Sequence, residues 1–282
     1  MTTTYRDGWA NIDATATPHE YVATMSRIRD AQPADQFAAF LGLLDVQPGQ
    51  QILDVACGQG HVARVVARHI GAGRVIGVDR SLAMVEEARR RAADLSAILD
   101  FQQADASALP FADNTFDRAY TLSSLEHFAQ PQQALEELVR TVRPEGQVYI
   151  ADYDYRTMMI DTDTPELTKQ LMTYFAEVDT NSEFVFTVPR RLGDLGMRVI
   201  HVTAEVELVH QETFNAEPDF AYGFYRDLWL GPLVADAKAA GVVAPEEARR
   251  WLAEQDERAR AGRFYLSVVK YRVTAIKPSP EA

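Results

Sequence analysis

Three aspartates stand where the sequence predicts the ends of consecutive β-strands, and their carboxylates could hold one polar ligand together. Asp54 lies inside the first apolar stretch, Asp79 closes the second, and Asp105 follows the third. A carboxylate can accept hydrogen bonds from both hydroxyls of a ribose, and it attracts a positively charged group. Because ligands of parallel α/β sheets bind at the carboxyl ends of the strands, we expect the three side chains to face one site.

A glycine-rich turn follows the first of these stretches. Residues 51–56 are apolar enough for a strand that is covered on both faces, and helical spacing of apolar residues begins after Gly60. Gly58 and Gly60 would let the backbone approach a ligand where a Cβ would clash. Such a turn presents backbone N–H groups and a helix N-terminus to a polar ligand.

Two classes of nucleotide cofactor use this arrangement. A dinucleotide fold needs G-x-G-x-x-G/A, which Gly58, Gly60 and Ala63 satisfy, and an acidic residue about 20 positions on, which Asp79 supplies. Asp54 separates the two classes, because a carboxylate there would repel a pyrophosphate but attract an ammonium or a sulfonium. In the alternative interpretation, Asp54 only caps the helix after the turn.

The stretch Leu53–Gly60 resembles the first motif of the class I S-adenosylmethionine (SAM)-dependent methyltransferases. Three later stretches also resemble this family. Phe111–Asp117 is similar to its approach to strand four, and Leu125–Phe128 to the motif after that strand. Leu138–Gly146 is similar to its R-x-L-K-P-G-G turn, with a glutamate in place of the first glycine. The resemblance covers about residues 50–152. It is closest to the small-molecule subgroup related to quinone-biosynthesis methyltransferases.

The resemblance implies a cofactor site. SAM would be the cofactor and S-adenosylhomocysteine the product, and Asp105 with Ala106 would hold the adenine. Helices at the N-terminus would cover the cofactor, so Tyr21 and Met25 are candidate contacts, although packing in the core is the simpler interpretation of both. The residues expected to bind the cofactor are Tyr21, Asp54, Ala56, Gly58, Gly60, Asp79, Arg80, Met84, Asp105, Ala106 and Ser123.

The acceptor side is less well defined. Methyl transfer is a one-step displacement to which positioning can contribute about 7–11 kcal/mol, so a dedicated base is optional. His127, just after the fourth strand, is the candidate catalytic residue, as a general base or only as part of the pocket. Tyr153 and Tyr155 could orient an acceptor, or residues 152–156 could form a solvated loop. Aromatic residues that could wall an apolar acceptor or only pack a lid are Phe214, Phe220, Tyr222, Phe224, Tyr225 and Trp229.

The amino-acid composition of the chain limits the classes of partner that it could bind. The 282 residues include 28 Lys and Arg against 41 Asp and Glu, a formal net charge of −13, which argues against a nucleic-acid partner. No Cys/His spacing predicts a metal site, and one cysteine, Cys57, cannot form an intrachain disulfide. No apolar run has the length of a membrane span and the N-terminus lacks a signal-peptide pattern. We therefore expect a cytoplasmic protein with a small-molecule partner and, as one possibility, a homodimer.

Strands and helices alternate from residue 51 onwards, which predicts βαβ units and a parallel sheet. We expect a Rossmann-like α/β fold with a seven-stranded, mostly parallel sheet, an N-terminal helical cover and a helical lid. Strand five is expected to end at Ala151, and the strand 197–209 to be buried on both faces. The expected parts are an arm and cover over 1–46, a SAM-binding core over 47–209, a lid insertion over 210–262, and a last strand with a tail over 263–282.

The function predicted from these patterns is SAM-dependent methylation of oxygen or carbon in a small, apolar or aromatic molecule of a biosynthetic or natural-product pathway. The same cofactor motif also fits an enzyme that binds SAM without methylating, such as a cyclase. A NAD-dependent oxidoreductase has the support of Ala63 and Asp79, but Asp54 and Asp105 argue against it.

Overall fold

The computed structural model describes residues 12–14, 17–30, 37–178, 181–210, 222–223 and 225–279. The helices are α1 Pro18–Asp30, α2 Ala38–Leu44, α3 His61–Ile70, α4 Leu82–Arg91, α5 Pro131–Thr141, α6 Pro165–Val178, α7 Phe184–Asp194, α8 Gly231–Ala239 and α9 Pro245–Arg260. The strands are β1 Gln51–Val55, β2 Arg74–Asp79, β3 Leu99–Gln103, β4 Phe116–Leu122, β5 Val142–Ile160, β6 Arg198–Val209 and β7 Leu266–Ile276. Short 3-10 turns lie at Ile12–Ala14, Ala93–Leu95 and Leu125–His127, and a π-helical turn, Arg226–Leu230, precedes α8.

The seven strands form one sheet in the order β3-β2-β1-β4-β5-β7-β6. Strands β1 to β5 are parallel, whereas β7 runs antiparallel between β5 and β6. The chain moves outwards from β1 to β3 and then crosses back to β4, so the order reverses between β1 and β4. Ligands of open α/β sheets bind beyond the strand ends at such a reversal. The predicted seven-stranded, mostly parallel fold is confirmed.

Local sequence signals explain where the helices start and stop. Pro18 is the first residue of α1, where its missing N–H costs nothing. The Ser81 hydroxyl accepts a hydrogen bond from Met84 N and caps α4 as predicted. Gly71 ends α3 with a φ of 62°, a conformation that glycine adopts without strain. These three signals fix the helices on either side of the glycine turn.

Strand β5 is much longer than its sequence pattern predicts. It continues past Ala151 to Ile160, because its backbone goes on pairing with β7. Asp152 and Asp154 are therefore only 1% and 2% exposed, and of the two alternatives for residues 152–156 the solvated loop is wrong. The predicted turn at 143–146 is a bulge inside the strand: the pairing with β4 jumps from Val142 to Gln147.

Strand β6 lies at the edge of the sheet, and the prediction that it is buried on both faces is wrong. Its exposed and less exposed residues mostly alternate, and Ile200 and Val206 are 43% and 69% exposed. The apolar residues that blurred the alternation in the sequence stand on the solvent side. The misinterpretation arose because β7, the last strand in the chain, inserts between β5 and β6.

Helices α8 and α9 lie between β6 and β7 in the chain, and Trp251 of α9 is fully buried in a cluster with α6 and α8. The division into cover, core and lid remains a prediction. None of the helices in the described part of the chain combines the length and apolar composition that a membrane crossing needs. Over the same residues, no group of three or more His, Cys, Asp or Glu side chains is arranged to hold a metal ion.

Candidate functional site

A cavity of about 540 Å³ lies at the carboxyl ends of the parallel strands. Its wall brings together most of the side chains that the sequence singled out. At one end, called the cofactor end, the wall includes Asp54, Ala56, Gly58, Asp79, Arg80, Met84, Asp105, Ala106 and Ser123. At the other, called the acceptor end, it includes Tyr153, Tyr155, Tyr225 and Trp229, and His127 also lines the cavity.

Asp79 ties the end of β2 to the glycine turn. Its Oδ2 accepts a hydrogen bond from Gly58 N at 2.8 Å and its Oδ1 accepts one from Ser81 N at 2.9 Å. Burial raises the pKa of Asp79, and these two N–H donors act in the opposite direction. The carboxylate therefore fixes the position of both backbone segments at the cofactor end.

Asp54 is buried within β1, 3% exposed, and still lines the cavity. Its Oδ2 accepts a hydrogen bond from the Tyr120 hydroxyl at 2.9 Å. Burial, and then the charge of Asp54, raise the pKa of Tyr120, so the phenol stays a donor. The N-cap of α3 is Gly60 and not Asp54, so the structure does not support the alternative in which Asp54 caps that helix.

Asp105 closes the cofactor end after β3. Its Oδ1 accepts hydrogen bonds from the backbone N–H and the hydroxyl of Ser107, at 2.8 and 2.7 Å. These hydrogen bonds hold the pKa of Asp105 below its ordinary value. The residue is exposed, and its carboxylate is ionised and accessible at the rim of the cavity.

Two residues other than glycine have left-handed backbone conformations at the ends of strands. Ala56 follows β1 with a φ of 60°, and Ser123 follows β4 with a φ of 52°. The N–H of Ser123 donates to Ala151 O at 2.8 Å, which holds this conformation. Such backbone costs about 1–3 kcal/mol at each residue and is concentrated at binding sites. Both residues line the cavity.

The two glycines of the turn have different roles. A Cβ on Gly58 would meet no atom within 4 Å, and Gly58 lines the cavity, so its missing side chain leaves space for a ligand. A Cβ on Gly60 would lie 2.4 Å from the Phe101 ring, so Gly60 is needed for packing. The neighbouring Cys57 has a raised pKa because of burial and the charges of Asp54 and Asp79, which keeps its thiol protonated.

Several predicted residues are not part of the cavity wall. Gly60 lies behind it, and Tyr21 packs in a small cluster with Ile12, Val22 and Met84. The Tyr222 hydroxyl donates to Asp256 at 2.7 Å, away from the wall. The predicted aromatic residues outside the described part of the chain are Phe214, Phe220 and Phe224.

Asp13 also contributes to the cofactor end, although no sequence pattern predicted it. Its carboxylate accepts hydrogen bonds from the Ser81 hydroxyl at 2.6 Å and from Leu82 N at 2.7 Å, so it caps α4 together with Ser81. Burial acts to raise the pKa of Asp13, but these hydrogen bonds outweigh it and the pKa is lowered. The adjacent Ile12 lines the cavity. This part of the predicted N-terminal arm therefore closes the cofactor end.

His127 stands on the 3-10 turn after β4, which Asp152 holds in place. Asp152 Oδ2 accepts hydrogen bonds from Ser124 N and Leu125 N at 3.1 and 2.8 Å. Burial lowers the pKa of His127 to about 4, although the charge of Asp152 acts to raise it. The imidazole is therefore neutral at pH 7, and its Nε2 lies 3.5 Å from Glu126 Oε1.

The acceptor end is built from aromatic rings. Tyr155 of β5 meets Trp229 edge to face, with 5.0 Å between the ring centres, and Trp229 contacts Tyr225 at 5.9 Å. Phe175 of α6 packs behind them, 5.3 Å from Tyr155. Edge-to-face rings at these distances pack without strain. The result is an apolar wall that β5 and the π-helical turn contribute jointly.

A family model described as a methyltransferase domain matches residues 53–150. One relative by sequence is an uncharacterised 37.1 kDa protein of transposon TN4556 from Streptomyces fradiae, which is 31% identical over 84% of this chain. The methyltransferase GfsG of Streptomyces halstedii is 38% identical over 43% of this chain. The ubiquinone/menaquinone biosynthesis C-methyltransferase UbiE of a Ruegeria species is 37% identical over 41% of this chain. Residues 53–150 therefore form a class I SAM-dependent methyltransferase domain. The matches span 66%, 44% and 47% of these relatives' own lengths, which is less than two thirds in each case.

Solved structures agree with this methyltransferase fold. A putative methyltransferase from Bacillus halodurans superposes with a TM-score of 0.60 at 16% identity, covering 87% of this chain and all of that one. The [4+2]-cyclase SpnF superposes with a TM-score of 0.52 at 20% identity, covering 88% of this chain and 82% of that one. At these identities the likeness concerns the fold alone.

SAM is the cofactor of this methyltransferase family, and the residues present fit it. Three carboxylates, Asp54, Asp79 and Asp105, line one end of the cavity, and the open position beside Gly58 leaves room for a ligand. Carboxylates suit ribose hydroxyls and a cationic group, whereas a pyrophosphate would be repelled by them.

Proposed function

We propose that this protein transfers the methyl group of SAM to oxygen or carbon of a small, apolar or aromatic molecule. The observation that carries the proposal is the continuity of the cavity from three strand-end carboxylates to an aromatic wall. Two relatives by sequence, the methyltransferase GfsG and the C-methyltransferase UbiE, support the reaction type.

At the cofactor end, the chain's own groups would bind and orient. Asp79, fixed by two backbone N–H groups, would accept from the ribose hydroxyls, and Asp105 with Ala106 would face the adenine. Asp54, buried and hydrogen-bonded to Tyr120, would stabilise positive charge. Bound SAM supplies an electrophilic methyl group on a sulfonium.

At the acceptor end, His127 would act as general base. Its imidazole is neutral and would take the proton from an acceptor hydroxyl or an acidic carbon as the new bond to the methyl group forms, although burial makes it a weaker base than an exposed histidine. The imidazolium produced would lie 3.5 Å from a Glu126 carboxylate oxygen. The rings of Tyr155 and Trp229 would exclude water and align the acceptor.

Two measurements test the proposal in sequence. Calorimetric titration with S-adenosylhomocysteine should show binding in the micromolar range; absence of binding at millimolar concentration would overturn the cofactor assignment. Mass spectrometry of a panel of phenols, enols and hydroxylated polycycles, incubated with protein and SAM, should show a gain of one methylene unit. A SAM-dependent product of unchanged mass would instead identify a non-methylating enzyme such as a cyclase.

A further inference from the structure

A charged cluster lies in the acceptor end of the cavity, apart from the cofactor site. It consists of Tyr153 of β5, Glu207 of β6 and Lys270 of β7, all of which line the cavity; it is called the Lys270 cluster. Lys270 Nζ donates to Tyr153 Oη at 3.0 Å and lies 4.5 Å from the centre of that ring. Tyr153 Oη donates to the two Glu207 carboxylate oxygens at 3.1 and 3.0 Å.

The apolar surroundings of the Lys270 cluster raise the free energy of its charged groups. Val209, Leu266 and Val268 line the same end of the cavity, and the Tyr155 ring stacks on Tyr153 with 5.8 Å between centres. Placing an ammonium beside apolar groups costs free energy unless it is paired. A pocket for a wholly apolar acceptor would be more stable without these charges, so the cluster indicates that the acceptor has a polar group.

The position of each partner indicates the sign of that group. Lys270 stands on β7, which is paired on both sides, and its side chain is 19% exposed. Glu207 stands on the edge strand β6, is 35% exposed, and lies 3.6 Å from Lys270 Nζ. Because 35% of the Glu207 side chain already meets solvent, this carboxylate can turn outwards once a ligand oxyanion pairs with the ammonium. The lysine has no comparable path, and a ligand oxyanion can take the place of Glu207.

A second cation supports this choice of sign. Arg272 also lines the cavity, two residues along β7 from Lys270. Its guanidinium contacts Glu205, which is 56% exposed and is not part of the wall. Near Tyr153 the wall therefore presents two cationic groups and one displaceable carboxylate. The other carboxylate at this end, that of Glu126, lies beside His127 and accepts a hydrogen bond from the Tyr155 hydroxyl at 3.4 Å.

We propose that the Lys270 cluster recognises an oxyanion on the acceptor. Lys270 Nζ and Tyr153 Oη would donate to the oxyanion after Glu207 turns to solvent, and the apolar, ring-bearing body of the acceptor would lie against Trp229 and Tyr225. The inference rests on the proposed function, because it names the chemical class of the acceptor: an apolar molecule with a carboxylate or an equivalent oxyanion.

The test uses two fluorescent probes that differ in one group. 8-Anilino-1-naphthalenesulfonate has a fused aromatic body and a sulfonate, and N-phenyl-1-naphthylamine has the same body without the anion. Both are titrated into the full chain with saturating S-adenosylhomocysteine, so that neither probe occupies the cofactor end. We expect Lys270→Met to weaken binding of the sulfonate probe about tenfold and to leave the neutral probe unchanged, since a charge-assisted hydrogen bond is lost.

The opposite substitution distinguishes recognition from a structural role. Glu207→Gln removes the carboxylate that competes with the ligand, so binding of the sulfonate probe should become about threefold or more tighter. Lys169→Met, on the exposed side of α6 and away from the cavity, is the matched control and should change neither affinity. Unchanged thermal melting of all three variants excludes probe binding to loosened protein.

Three outcomes would overturn the proposal: failure of the parent to bind the sulfonate probe, equal affinities in the parent and Lys270→Met, or weaker binding in Glu207→Gln. Weaker binding of the neutral amine in Glu207→Gln would instead assign the cluster to a hydrogen-bond donor on the acceptor. Calorimetry with S-adenosylhomocysteine is independent of the probe titrations. Absence of S-adenosylhomocysteine binding would overturn the cofactor assignment, whereas the probe titrations test only the role of the Lys270 cluster.

Discussion

The two ends of the cavity are built in different ways. At the cofactor end, short acidic side chains and backbone N–H groups meet at the tips of adjacent parallel strands, as when Asp79 accepts from both Gly58 N and Ser81 N. At the acceptor end, long side chains from β5, β6 and β7 reach inwards, and Tyr153, Glu207 and Lys270 contact one another across three strands. The shape of the cofactor end therefore depends on the position of the backbone, whereas that of the acceptor end depends on which side chains the strands carry.

Because of this difference, the acceptor end can change while the cofactor end stays intact. A change in a strand-end aspartate moves backbone that several ligand contacts share, so its effect should be large and specific to the cofactor. A change at the acceptor end alters one wall of an apolar chamber and leaves the sheet in place.

The largest effect is expected for Asp79→Asn. The amide has one acceptor oxygen where the carboxylate provides two, so either Gly58 N or Ser81 N loses its partner, and the charge that would face the ribose is removed. Affinity for S-adenosylhomocysteine should fall about 100-fold by calorimetry. Binding of N-phenyl-1-naphthylamine should not change.

The exposed Asp194 of α7 provides the control for this prediction. Asp194→Asn should bind S-adenosylhomocysteine like the parent, because that exposed side chain pairs with Arg190 at the surface. If Asp79→Asn retained the parent's affinity within a factor of three, the ribose assignment would be lost and with it the contrast between the two ends.

The next effect concerns the pH dependence of stability at His127. Its pKa is lowered to about 4 in the fold from an ordinary 6.5, so between these values the unfolded chain takes up a proton that the folded chain does not. The resulting stability is fully present above about pH 6.5 and is lost as the pH falls towards 4. The loss should be on the order of 2–3 kcal/mol.

Urea unfolding at pH 7.5 and pH 5 measures this loss, and His127→Gln is the variant that should remove it. The difference in unfolding free energy between the two pH values should be smaller in the variant than in the parent. Exposed His69, which lies in the last turn of α3, gives the control variant His69→Gln. An identical pH difference in all three proteins would show that His127 is not buried as a neutral base.

The cofactor end was predictable because its signals are short in sequence. A strand, a glycine turn and an acid about 20 residues later place Asp54, Gly58 and Asp79 with little freedom, and the structure brings all three to one cavity. The resemblance extended this to Ala56 and Ser123, whose left-handed backbone no propensity rule would predict.

The acceptor end was less predictable because it depends on contacts distant in sequence. Nothing in the stretch after Ala151 shows that β7, more than a hundred residues later, prolongs β5 and buries Asp152 and Asp154. The Lys270 cluster spans 117 residues of sequence, from Tyr153 to Lys270. Tyr222 shares the aromatic character of Tyr225 but faces Asp256, which only tertiary packing decides.

A smaller effect is expected where the N-terminal arm meets the cofactor end. Asp13→Ala removes hydrogen bonds to the Ser81 hydroxyl and Leu82 N but leaves Ser81 capping Met84 N. The unfolding free energy should fall by about 1 kcal/mol, as for loss of a helix cap. Urea unfolding measures it, and Asp100→Ala, an exposed aspartate of β3, is the control. A loss no greater than that of the control would show that the arm does not close this end.

The smallest effect is expected on the outer side of the acceptor end, where Val206 and Glu207 are neighbours on β6 but face opposite ways. Val206 is 69% exposed, whereas Val273 of β7 is fully buried. Val206→Thr should change the unfolding free energy by less than about 0.5 kcal/mol, whereas Val273→Thr buries a hydroxyl and should cost about 1–3 kcal/mol. If urea unfolding gave similar losses of unfolding free energy for Val206→Thr and Val273→Thr, another surface would have to cover β6. At an edge strand open to solvent, replacing a methyl by a hydroxyl should change the unfolding free energy very little.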